Sequence, residues 1–525
     1  MIHSIHVNEF RALKDVTLNL GKYITVISGR NGLCKSTILA LLGNTCELKV
    51  KDGKSIFNTQ FRTEFGEIFK ANKKFDPSGS NKFWVNFCEK NSPDVIREKK
   101  ISRVSWQGNG TRFRVIPETK EKGLENSKKM EWPSLYLGLS RLYPIGEADD
   151  KKMKVKSVPL SEDEQKYFLD NYVEILNLNN EEELCIDMID IDEVHRKKGI
   201  GINTSKYSSI TNSAGQDNVG QIIMSVLSFK RLKKSYERYE GGLLLIDEID
   251  ATLHPVAQIK LIQFLYKACK ELDLQVVCTT HSVSLLEDIA IKIIHNTDNI
   301  NNYEVYYLTN NNGPLVVLRN PEFPVMKSDL MLSKPGQAIN KIPVYSEDDE
   351  GRWFLRKLTK KYGIFLNYIN IRMGCTELIS LNNNDPIYFS NVLFVLDGDV
   401  PEKNIEMSKL KDNIIKLPGK VRPEQIFYDY LIKLDSSSEL WSIGAHIGFN
   451  KDSIIENGPE SSKYKGKPRE KYKEWFKENV IYFESLDVFD YWCEDNKEEV
   501  DEFIDKFIEA YNIIAKRKLH GKLVK

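Results

Sequence analysis

The sequence predicts an α/β protein of two parts, residues 1–320 and residues 340–525. Two observations lead to this prediction. Between residues 213 and 295, apolar strand-like runs alternate with helical stretches, which is typical of a parallel sheet covered by helices on both faces. From Ile342 a second pattern of this kind begins, after a segment at 296–340 whose asparagine- and proline-rich turns are typical of a link.

Composition places the chain among ordinary globular proteins and excludes several other classes. Hydrophobic residues make up 41% and charged residues 29% of the sequence, which is usual for a soluble protein. No uninterrupted apolar run approaches the ~20 residues that a membrane-spanning helix needs, so we expect no membrane partner. The N-terminal segment has no apolar core flanked by basic residues, and we therefore expect no signal peptide.

Charge and cysteine content bear on nucleic-acid binding and on cellular location. Lys plus Arg and Asp plus Glu each total 75, so the global balance gives no sign of nucleic-acid binding, and any such surface depends on local patches. The eight cysteines include no Cys-x-x-Cys pair, which argues against a zinc site and against a disulfide framework. We therefore expect a reducing, cytoplasmic location.

A phosphate-binding loop is predicted near the N-terminus. The apolar run Ile24–Ser28 is followed by a glycine-rich loop and by the helix-like stretch Ser36–Leu42, which together form the start of a βα unit. The loop nearly fits the pattern Gly-x-x-x-x-Gly-Lys-Ser/Thr, in which backbone N–H groups and a helix N-terminus surround phosphate. The predicted ATP-binding residues of this loop are Gly29, Arg30, Asn31, Gly32, Cys34, Lys35, Ser36 and Thr37.

Three positions of the loop have distinct expected roles. Lys35 is expected to bridge the β- and γ-phosphates, and the Ser36 hydroxyl to hold Mg²⁺. Cys34 stands where the pattern has glycine, and its Cβ is expected to strain the backbone or to narrow the approach to phosphate. The loop thus predicts nucleotide binding but does not by itself predict fast hydrolysis.

Two later strands end in residues suited to ATP chemistry. The run Leu243–Glu248 ends in two carboxylates: Asp247 is expected to bind Mg²⁺ through water, and Glu248 to orient the attacking water. The run Val276–Ser282 places His281 after a second strand, where a γ-phosphate sensor is expected. An acidic strand end or a lone histidine is usually structural, but together with the loop these residues favour a nucleotide site.

These residues resemble the ABC-type ATPases of the RecF, SMC and OLD group, over about residues 1–295. The resemblance implies an ABC-type head that pairs with a second head, whose signature motif caps the ATP, in a homodimer or a larger even-numbered assembly. Ser213 and Gly215 are similar to that signature, and residues 250–255 (DATLHP) are similar to the D-loop. Gln60 is either the Q-loop glutamine of this group or an ordinary surface residue.

Residues 46–200 fit such a head less well. They mix strand-like pieces such as Phe83–Phe87 and Thr111–Ile116 with charged runs, and we interpret them as an α+β region inserted into the head. Beyond this region, long helices are predicted over Val219–Tyr239 and Pro255–Leu272.

The second part has carboxylates at the ends of predicted strands. The strand Ile342–Ser346 is followed by Glu347, a helix is predicted over Arg352–Tyr362, and a later strand ends in Asp397 and, one residue on, Asp399. Alternate residues of an extended chain point the same way, so these two aspartates are expected to share one metal ion. With the glutamate they form a set that Mg²⁺ or Mn²⁺ binds and that phosphodiester hydrolysis uses.

This order of elements resembles a TOPRIM domain over about residues 340–435. The Leu-Pro-Gly and Pro-Glu that follow resemble the continuation found in OLD-type domains, which implies Glu424 as a further acidic residue of the site. OLD-type domains often have an aspartate four residues after the first glutamate, where this chain has Gly351. Either Asp349 or Glu350 substitutes for it, or that metal position is weaker.

OLD-type nucleases also use a lysine well downstream. Basic residues occupy every second position of the segment Lys463–Lys473, and an extended conformation would place six positive charges on one side, as a phosphate-contact surface. A solvated basic loop is the alternative interpretation. Lys473 or Lys471 is the catalytic candidate, and we favour Lys473.

An ABC head followed by a TOPRIM domain resembles the OLD-family nucleases, and among them the defence-associated members of Gabija-type and retron-linked systems. The resemblance implies an ATP-regulated, Mg²⁺- or Mn²⁺-dependent DNA endonuclease of prokaryotic anti-phage defence, with a helical C-terminal tail. The implied partners are DNA, further copies of the chain, and a helicase or a reverse transcriptase with its DNA.

Two alternatives stay open at this point. In one, a DNA-repair or chromosome-maintenance ATPase carries a TOPRIM module that binds nucleic acid without cutting it. In the other, a regulatory ATPase restrains a partner effector, either a toxin or a reverse transcriptase. The first predicts binding without metal-dependent cleavage, and the second predicts a stable hetero-complex with little activity alone.

Overall fold

The computed structural model of the chain describes residues 1–89, 92–108, 110–118, 128–178, 185–192, 197–294, 302–310, 313–333, 341–518 and 523. The chain divides into two compact units, Met1–Leu332 and Ser333–Lys525. The first unit therefore extends past residue 320, where its end was predicted. Within the described ranges, no helix is both long enough and apolar enough to cross a membrane.

The first unit combines parallel and antiparallel sheets with helices. Its strands are β1 (Ile2–Phe10), β2 (Leu13–Asn19), β3 (Ile24–Gly29), β4 (Cys46–Glu47), β5 (Gly79–Glu89), β6 (Ser92–Gln107), β7 (Arg112–Pro117), β8 (Met130–Glu131), β9 (Ser134–Leu137), β10 (Met153–Ser157), β11 (Cys185–Ile191), β12 (Lys198–Asn203), β13 (Gly242–Ile246), β14 (Leu274–Thr280), β15 (Tyr303–Thr309) and β16 (Val316–Arg319). Its helices are α1 (Lys35–Asn44), α2 (Phe65–Ile68), α3 (Glu162–Leu176), α4 (Ala214–Ser235), α5 (Pro255–Leu272), α6 (Val283–Ile294) and α7 (Phe323–Leu330).

A six-stranded sheet in the order β16-β15-β3-β14-β13-β9 forms the centre of this unit. β3 pairs in parallel with β14 and β15, and β13 pairs in parallel with β14 and β9. The four residues Leu243–Ile246 of β13 are fully buried, as expected for a strand covered on both faces. The predicted parallel sheet is confirmed, and it brings the carboxyl ends of β3, β13 and β14 to one edge, where ligands bind in open α/β sheets.

Two segments have a place in the fold that differs from the prediction. Within residues 46–200, interpreted as an insertion, β9 joins the central sheet, and β5, β6 and β7 extend the antiparallel sheet β2-β1-β5-β6-β7. Much of this segment therefore belongs to the sheets of the first unit and is not an insertion into it. The predicted link at 296–340 supplies β15 and β16 of the central sheet, while its asparagine-rich start at 295–301 lies outside the described residues.

Two helices begin earlier than the apolar pattern predicted, and capping explains both. α4 starts after Ser213 rather than at Val219, because Ser213 and Gln216 exchange hydrogen bonds in a capping box. α8 (Asp349–Leu358) starts after Asp348, whose side chain accepts a hydrogen bond from the N–H of Gly351. In both cases the polar cap extends the helix beyond its apolar face.

The second unit is built on a four-stranded sheet, in the order β18-β17-β19-β20, in which all neighbours are parallel. Its strands are β17 (Ile342–Ser346), β18 (Leu366–Tyr368), β19 (Leu393–Leu396) and β20 (Ile414–Lys416). Besides α8, its helices are α9 (Cys375–Asn384), α10 (Pro386–Phe389), α11 (Glu402–Glu406), α12 (Pro423–Lys433), α13 (Glu439–Gly444), α14 (Lys451–Glu456), α15 (Pro468–Ser485), α16 (Val488–Asp495) and α17 (Lys497–Lys518).

An aromatic cluster joins the helices of the second unit. Phe427 of α12 contacts Phe354 of α8, Phe476 of α15, and Phe489 and Trp492 of α16, with ring centroids 5.4 to 6.5 Å apart. Such pairs stabilise a core beyond the area that they bury. The predicted helical tail is thus packed against α8 and α12, which begin beside the carboxylates at the ends of β17 and β19.

Candidate functional site

The predicted phosphate loop connects β3 to α1. At its start, Gly29 has φ 138°, and an added Cβ would lie 2.3 Å from the carbonyl oxygen of Leu308, so only glycine fits there. Lys35 opens α1, and its Nζ donates to the carbonyl oxygens of Gly29 at 3.0 Å and Arg30 at 2.9 Å. The lysine is buried, which lowers its pKa, while Asp247 and neighbouring carboxylates oppose that shift. Its ammonium group is therefore held by backbone carbonyl oxygens at the start of the loop.

The other loop residues have different surroundings. Asn31 and Gly32 are exposed and Thr37 is buried. Arg30 donates from Nη2 to Asn310 Oδ1 at 3.3 Å, and its Nε lies 3.5 Å from Asp329 Oδ1. These contacts tie the arginine to elements of the same unit, at the side of the loop.

Cys34 has the backbone strain that its position suggested. Its φ of 62° and ψ of 17° lie in the left-handed region, which residues with a Cβ rarely adopt. It is the N-cap residue of α1, but its side chain makes no capping hydrogen bond. The loop thus keeps the glycine-like conformation of the pattern although glycine is absent.

Asp247, at the end of β13, is the centre of a small hydrogen-bond network. Its Oδ1 accepts from Ser36 Oγ at 3.0 Å and from Thr279 Oγ1 at 2.6 Å, and its Oδ2 accepts from Tyr136 at 3.3 Å. The two predicted Mg²⁺ ligands, Ser36 and Asp247, are therefore adjacent. A hydroxyl and a carboxylate beside a phosphate loop can hold Mg²⁺ on a nucleotide.

Glu248, the next residue, is held through its backbone. Its φ is 49°, again left-handed. Its N–H donates to Thr279 Oγ1 at 2.7 Å, and its carbonyl oxygen accepts from Arg141 Nη2 at 2.8 Å. The side chain is half-buried, so its carboxylate is accessible to a water molecule.

His281 follows β14, as predicted, and is half-buried. Its N–H donates to Asp250 Oδ1 at 3.4 Å. Burial lowers the pKa of its imidazole, the charge of Lys35 lowers it further, and Asp250 opposes both. The histidine is thus biased towards its neutral form, next to the lysine of the loop.

The residues similar to the signature motif lie at the start of α4. Ser213 is exposed, while Gly215 is buried with no room for a Cβ, which would lie 2.6 Å from the carbonyl oxygen of Thr252. Gln60 donates to the carbonyl oxygen of Leu48 at 2.7 Å and lines a cavity together with Tyr136. The structure thus brings Gln60 near Tyr136, whose hydroxyl contacts Asp247.

In the second unit, the parallel pairing of β17 and β19 brings Glu347 next to Asp397. Glu347 Oε1 accepts from the N–H of Asp397 at 3.0 Å, and Oε2 accepts from the N–H of Cys375 at 3.2 Å. Burial raises the pKa of Glu347, and the two backbone donors oppose that rise. The predicted pair of strand-ending carboxylates is thus brought together.

Asp397 and Glu424 are two deeply buried acidic residues of the second unit. Each residue is 1% exposed, and among the residues that the structure describes neither side chain has a hydrogen-bond partner on either carboxylate oxygen. Burial raises the pKa of Asp397 well above its usual range, and the charge of Glu347 adds to this rise. Burial likewise raises the pKa of Glu424 to about 7. Buried carboxylates of this kind are costly unless a cation or a proton compensates them.

Two further carboxylates belong to this cluster. Asp348 caps α8, and its Oδ2 pairs with Lys473 and lies 3.5 Å from Arg469. Burial opposes ionisation of Asp348, but the hydrogen bonds from Lys473 and Gly351 prevail and lower its pKa. Glu350 is buried and lies 3.4 Å from Lys473 Nζ. Lys473, the predicted catalytic lysine, therefore lies within the acidic cluster.

The geometry around Asp399 differs from the sequence argument. β19 ends at Leu396, and Asp397 and Asp399 lie on a turn instead of an extended strand. Asp399 is exposed and its Oδ2 lies 3.1 Å from Arg422 Nε. The expectation that alternation makes the two aspartates share a metal is therefore wrong in its reasoning, because the turn replaces the strand.

The basic segment Lys463–Lys473 is not extended either. α15 begins at Pro468, so the last of these basic residues lie on its first turns, and the charges do not line one side of a strand. Lys471 pairs with Glu460 at 3.5 Å, away from the carboxylate cluster. Of the two lysine candidates, only Lys473 therefore lies on the cluster, where Arg469 is a second cation.

These carboxylates suit a metal ion because of the chemistry of their oxygen atoms, and not because a complete set of ligands is already in place. In the part of the chain that the structure describes, no group of three or more His, Cys, Asp or Glu side chains is arranged to hold a metal ion. The unpartnered oxygens of Asp397 and Glu424 nevertheless fit a hard cation, which takes carboxylate oxygen ligands. Gly351 faces this space, because its added Cβ would lie 3.0 Å from Asp397 Oδ1.

A family model matches the part of the chain that carries Glu248, Asp247 and His281. Residues 141–287 match the model described as "AAA domain, putative AbiEii toxin, Type IV TA system". Residues 141–287 of the first unit are therefore similar to an AAA ATPase domain. The match includes the signature-like start of α4 and both carboxylates after β13, but the phosphate loop lies before it.

Solved structures similar to the chain include SMC head domains and a recombination mediator protein. The SMC head domain from Thermotoga maritima is 13% identical, with 60% of this chain and 98% of that chain covered and a TM-score of 0.32. The Smc head domain from Pyrococcus furiosus, bound to the C-terminal domain of ScpA, is 14% identical, with 63% and 99% covered and a TM-score of 0.35. The recombination mediator RecF is 12% identical, with 59% and 96% covered and a TM-score of 0.30. No curated protein matches the chain.

Sequence reasoning did not find several residues around these sites. Thr279 lies in the predicted strand, but its contacts with the Asp247 carboxylate and the N–H of Glu248 follow only from the pairing of β13 with β14. Asp348 stands in a run of four carboxylates after β17, a signal that could have identified it. Arg141 is not part of any charged pattern in the sequence, so its burial in the first unit could not be predicted.

Proposed function

We propose that the protein is an ATP-regulated, metal-dependent nuclease that acts on DNA, in which the ATPase unit controls a hydrolytic site in the second unit. The observation that carries this proposal is the pair of buried, unpartnered carboxylates Asp397 and Glu424 beside Lys473. Buried acids without partners are retained at functional sites more than for stability.

A TOPRIM-type site is supported by the position of these residues. Glu347 and Asp397 follow neighbouring parallel strands, and Glu424 lies in the first turn of α12. Asp397, Glu424 and Glu347 would hold Mg²⁺ or Mn²⁺, both of which prefer oxygen ligands. When bound, such an ion polarises the phosphodiester and lowers the pKa of a coordinated water. Lys473 provides a cation that can contact a phosphate oxygen.

ATP acts as a regulator in this proposal. The strained Cys34 in the phosphate loop fits binding and slow turnover better than the fast cycle of a motor. Exposed Ser213 at the start of α4 is available to the ATP of a second head, so that ATP pairs two heads and thereby holds or releases the nuclease sites. The resemblance to OLD-family nucleases supports a role of this activity in anti-phage defence, with a helicase or a reverse transcriptase as the proposed partner.

A nuclease assay tests the proposal. The purified chain is mixed with supercoiled, linear and single-stranded DNA, with Mg²⁺, Mn²⁺ or EDTA, with and without ATP. We expect metal-dependent cutting that Asp397→Asn abolishes and that ATP changes. Asp412→Asn is the matched control, because Asp412 lies in the same unit but pairs with Arg517 at the surface. Cutting that survives in Asp397→Asn would refute the assignment of the site.

A second candidate is a DNA-binding ATPase whose second unit does not cut. It is favoured by the absence, among the described residues, of three side chains already arranged around a metal position. It predicts DNA binding in a gel-shift assay that is equal in Mg²⁺ and EDTA, with no cutting under any of the conditions above. A stable complex with a partner effector, without either activity, would instead support a restraining role.

A further inference from the structure

Arg141 is a buried arginine next to the ATP site that the proposed function does not use. It lies in the short 3₁₀ turn Leu139–Leu142 after β9, and it is 2% exposed. Its Nη1 donates to the carbonyl oxygens of Leu137 at 3.2 Å and Gly138 at 3.0 Å. Its Nε donates to Asn218 Oδ1 at 2.8 Å, and its Nη2 to the carbonyl oxygen of Glu248 at 2.8 Å. A guanidinium that is buried this deeply needs a reason, because desolvation alone opposes its burial.

The contact with Glu248 supplies that reason. Glu248 has a left-handed backbone, which a residue with a Cβ adopts only at a cost in free energy. Such a conformation persists only where the surroundings hold it. Here Thr279 Oγ1 fixes the N–H and Arg141 fixes the carbonyl oxygen. The two anchors together determine the direction in which the carboxylate of Glu248 leaves the backbone.

The other end of the guanidinium reaches α4. Asn218, which accepts from Arg141, lies on the second turn of this helix and donates to the carbonyl oxygen of Ala251 at 3.0 Å. The carbonyl oxygen of Arg141 itself accepts from Gln221 of α4 at 3.0 Å. The arginine therefore connects the segment after β13 to the helix that begins with Ser213.

The opposite side of this connection is a buried ion pair. Lys197 Nζ lies 2.5 Å from Asp217 Oδ2 on α4, and it also donates to the carbonyl oxygen of Arg141 at 3.1 Å. Both side chains of the pair are 1% exposed. Because buried charges need well-defined partners, the pair fixes Arg141 against the first turns of α4. A displacement of the start of α4 would therefore be transmitted to the backbone of Glu248.

We propose that Arg141 is a positioning residue for ATP hydrolysis, which holds Glu248 in its working direction and couples it to the start of α4. The inference rests on the proposed role of Glu248 in orienting the attacking water. Arginine suits this position because its planar fork donates to several acceptors at once, whereas lysine is a point donor. Arg141 is thus a residue that is not expected to contact ATP itself but links Glu248 to α4, the helix that begins after Ser213.

Steady-state ATP hydrolysis and ATP binding test the proposal on the full chain. For Arg141→Gln we expect kcat to fall by about 10²-fold, as for a misplacement of a catalytic group by about 1 Å. KM and the affinity for a fluorescent ATP analogue should stay within about twofold, because no phosphate contact is lost. Arg141→Lys should retain more activity than Arg141→Gln. Arg319→Gln controls for general destabilisation, since it leaves buried Glu304 of the same unit without its cation.

Two further variants separate positioning from a merely structural role. In the double variant Arg141→Gln, Glu248→Gln, the loss of kcat should not exceed that of Glu248→Gln alone, because both changes act on one group. Asn218→Ala, which leaves Arg141 and Glu248 intact, should also lower kcat if α4 is coupled to them. Additive losses, equal losses in Arg319→Gln, an unchanged kcat in Asn218→Ala, or a wild-type chain that does not hydrolyse ATP would overturn the proposal. None of these results depends on DNA cutting.

Discussion

Replacing Cys34 with glycine should stabilise the first unit and strengthen ATP binding. The left-handed backbone at this position is disfavoured by the Cβ, and glycine has no Cβ. Because the cysteine side chain makes no capping hydrogen bond, the substitution removes strain without removing a contact of that kind. The same change also widens the approach of phosphate to the loop.

The size of the effect follows from two opposing terms. Relief of the left-handed strain contributes about 1–2 kcal/mol to the free energy of unfolding. The greater freedom of glycine in the unfolded chain offsets about 0.4–1 kcal/mol of this gain. The net stabilisation is therefore about 0.5–1 kcal/mol, which corresponds to a rise of roughly 1–3 °C in the midpoint of the first unit.

Differential scanning calorimetry and titration with a fluorescent ATP analogue measure the two expected gains. Cys34→Ala is the matched control, because alanine removes the sulfur but keeps the Cβ and ranks below glycine at an N-cap. If the strain is correctly assigned, alanine gives no rise in the midpoint and no gain in affinity. An equal rise in both variants, or a lower midpoint in Cys34→Gly, would refute the reasoning.

Three other substitutions test the remaining geometry. Lys197→Met should lower the unfolding free energy of the first unit by about 3–5 kcal/mol in chemical denaturation, since it leaves Asp217 buried without its cation; a loss below about 1 kcal/mol would contradict this. Lys473→Met should tighten Mn²⁺ binding measured by calorimetry while reducing cleavage, because it removes an ammonium from the acidic cluster; weaker Mn²⁺ binding would speak against that cluster as the metal site. Gly398→Ala should lower the thermal midpoint of the second unit, because its Cβ would lie 2.4 Å from the carbonyl oxygen of Gly419; an unchanged midpoint would show that the turn adapts.

The parallel core of each unit could be predicted from sequence because buried strands leave a plain signal. β13 is a short, continuous apolar run, β14 is centred on the apolar run Val276–Cys278, and α5 has the bounds that its apolar period predicted. Helix starts were predicted less well, since the start of α4 depends on a hydrogen-bond exchange between Ser213 and Gln216 and not on hydrophobic spacing. The place of β9 in the central sheet was missed because a four-residue edge strand carries too little pattern to assign its neighbours.

In the candidate sites, the meeting of strand ends could be predicted from sequence, whereas local backbone turns and contacts between distant residues could not. The adjacency of Glu347 and Asp397 follows from strand ends in a parallel sheet, which sequence reveals. The turn at Asp399 and the start of α15 depend on local backbone conformation, which cannot be predicted from the spacing of carboxylates or lysines. The contact of Arg141 with Glu248 joins residues more than a hundred positions apart and involves a backbone carbonyl, so no residue type at either position encodes it.

The two unpartnered acids, Asp397 and Glu424, also affect how the chain would respond to selection. Each weakens the folded state when no cation is present, so uncharged replacements of similar shape should make the second unit more heat-resistant. A library screened only for survival at high temperature, with divalent ions withheld, should therefore lose these two residues early. Their loss in such a screen, and their retention when the proposed cleavage of DNA is required as well, would separate the demands of folding from those of function.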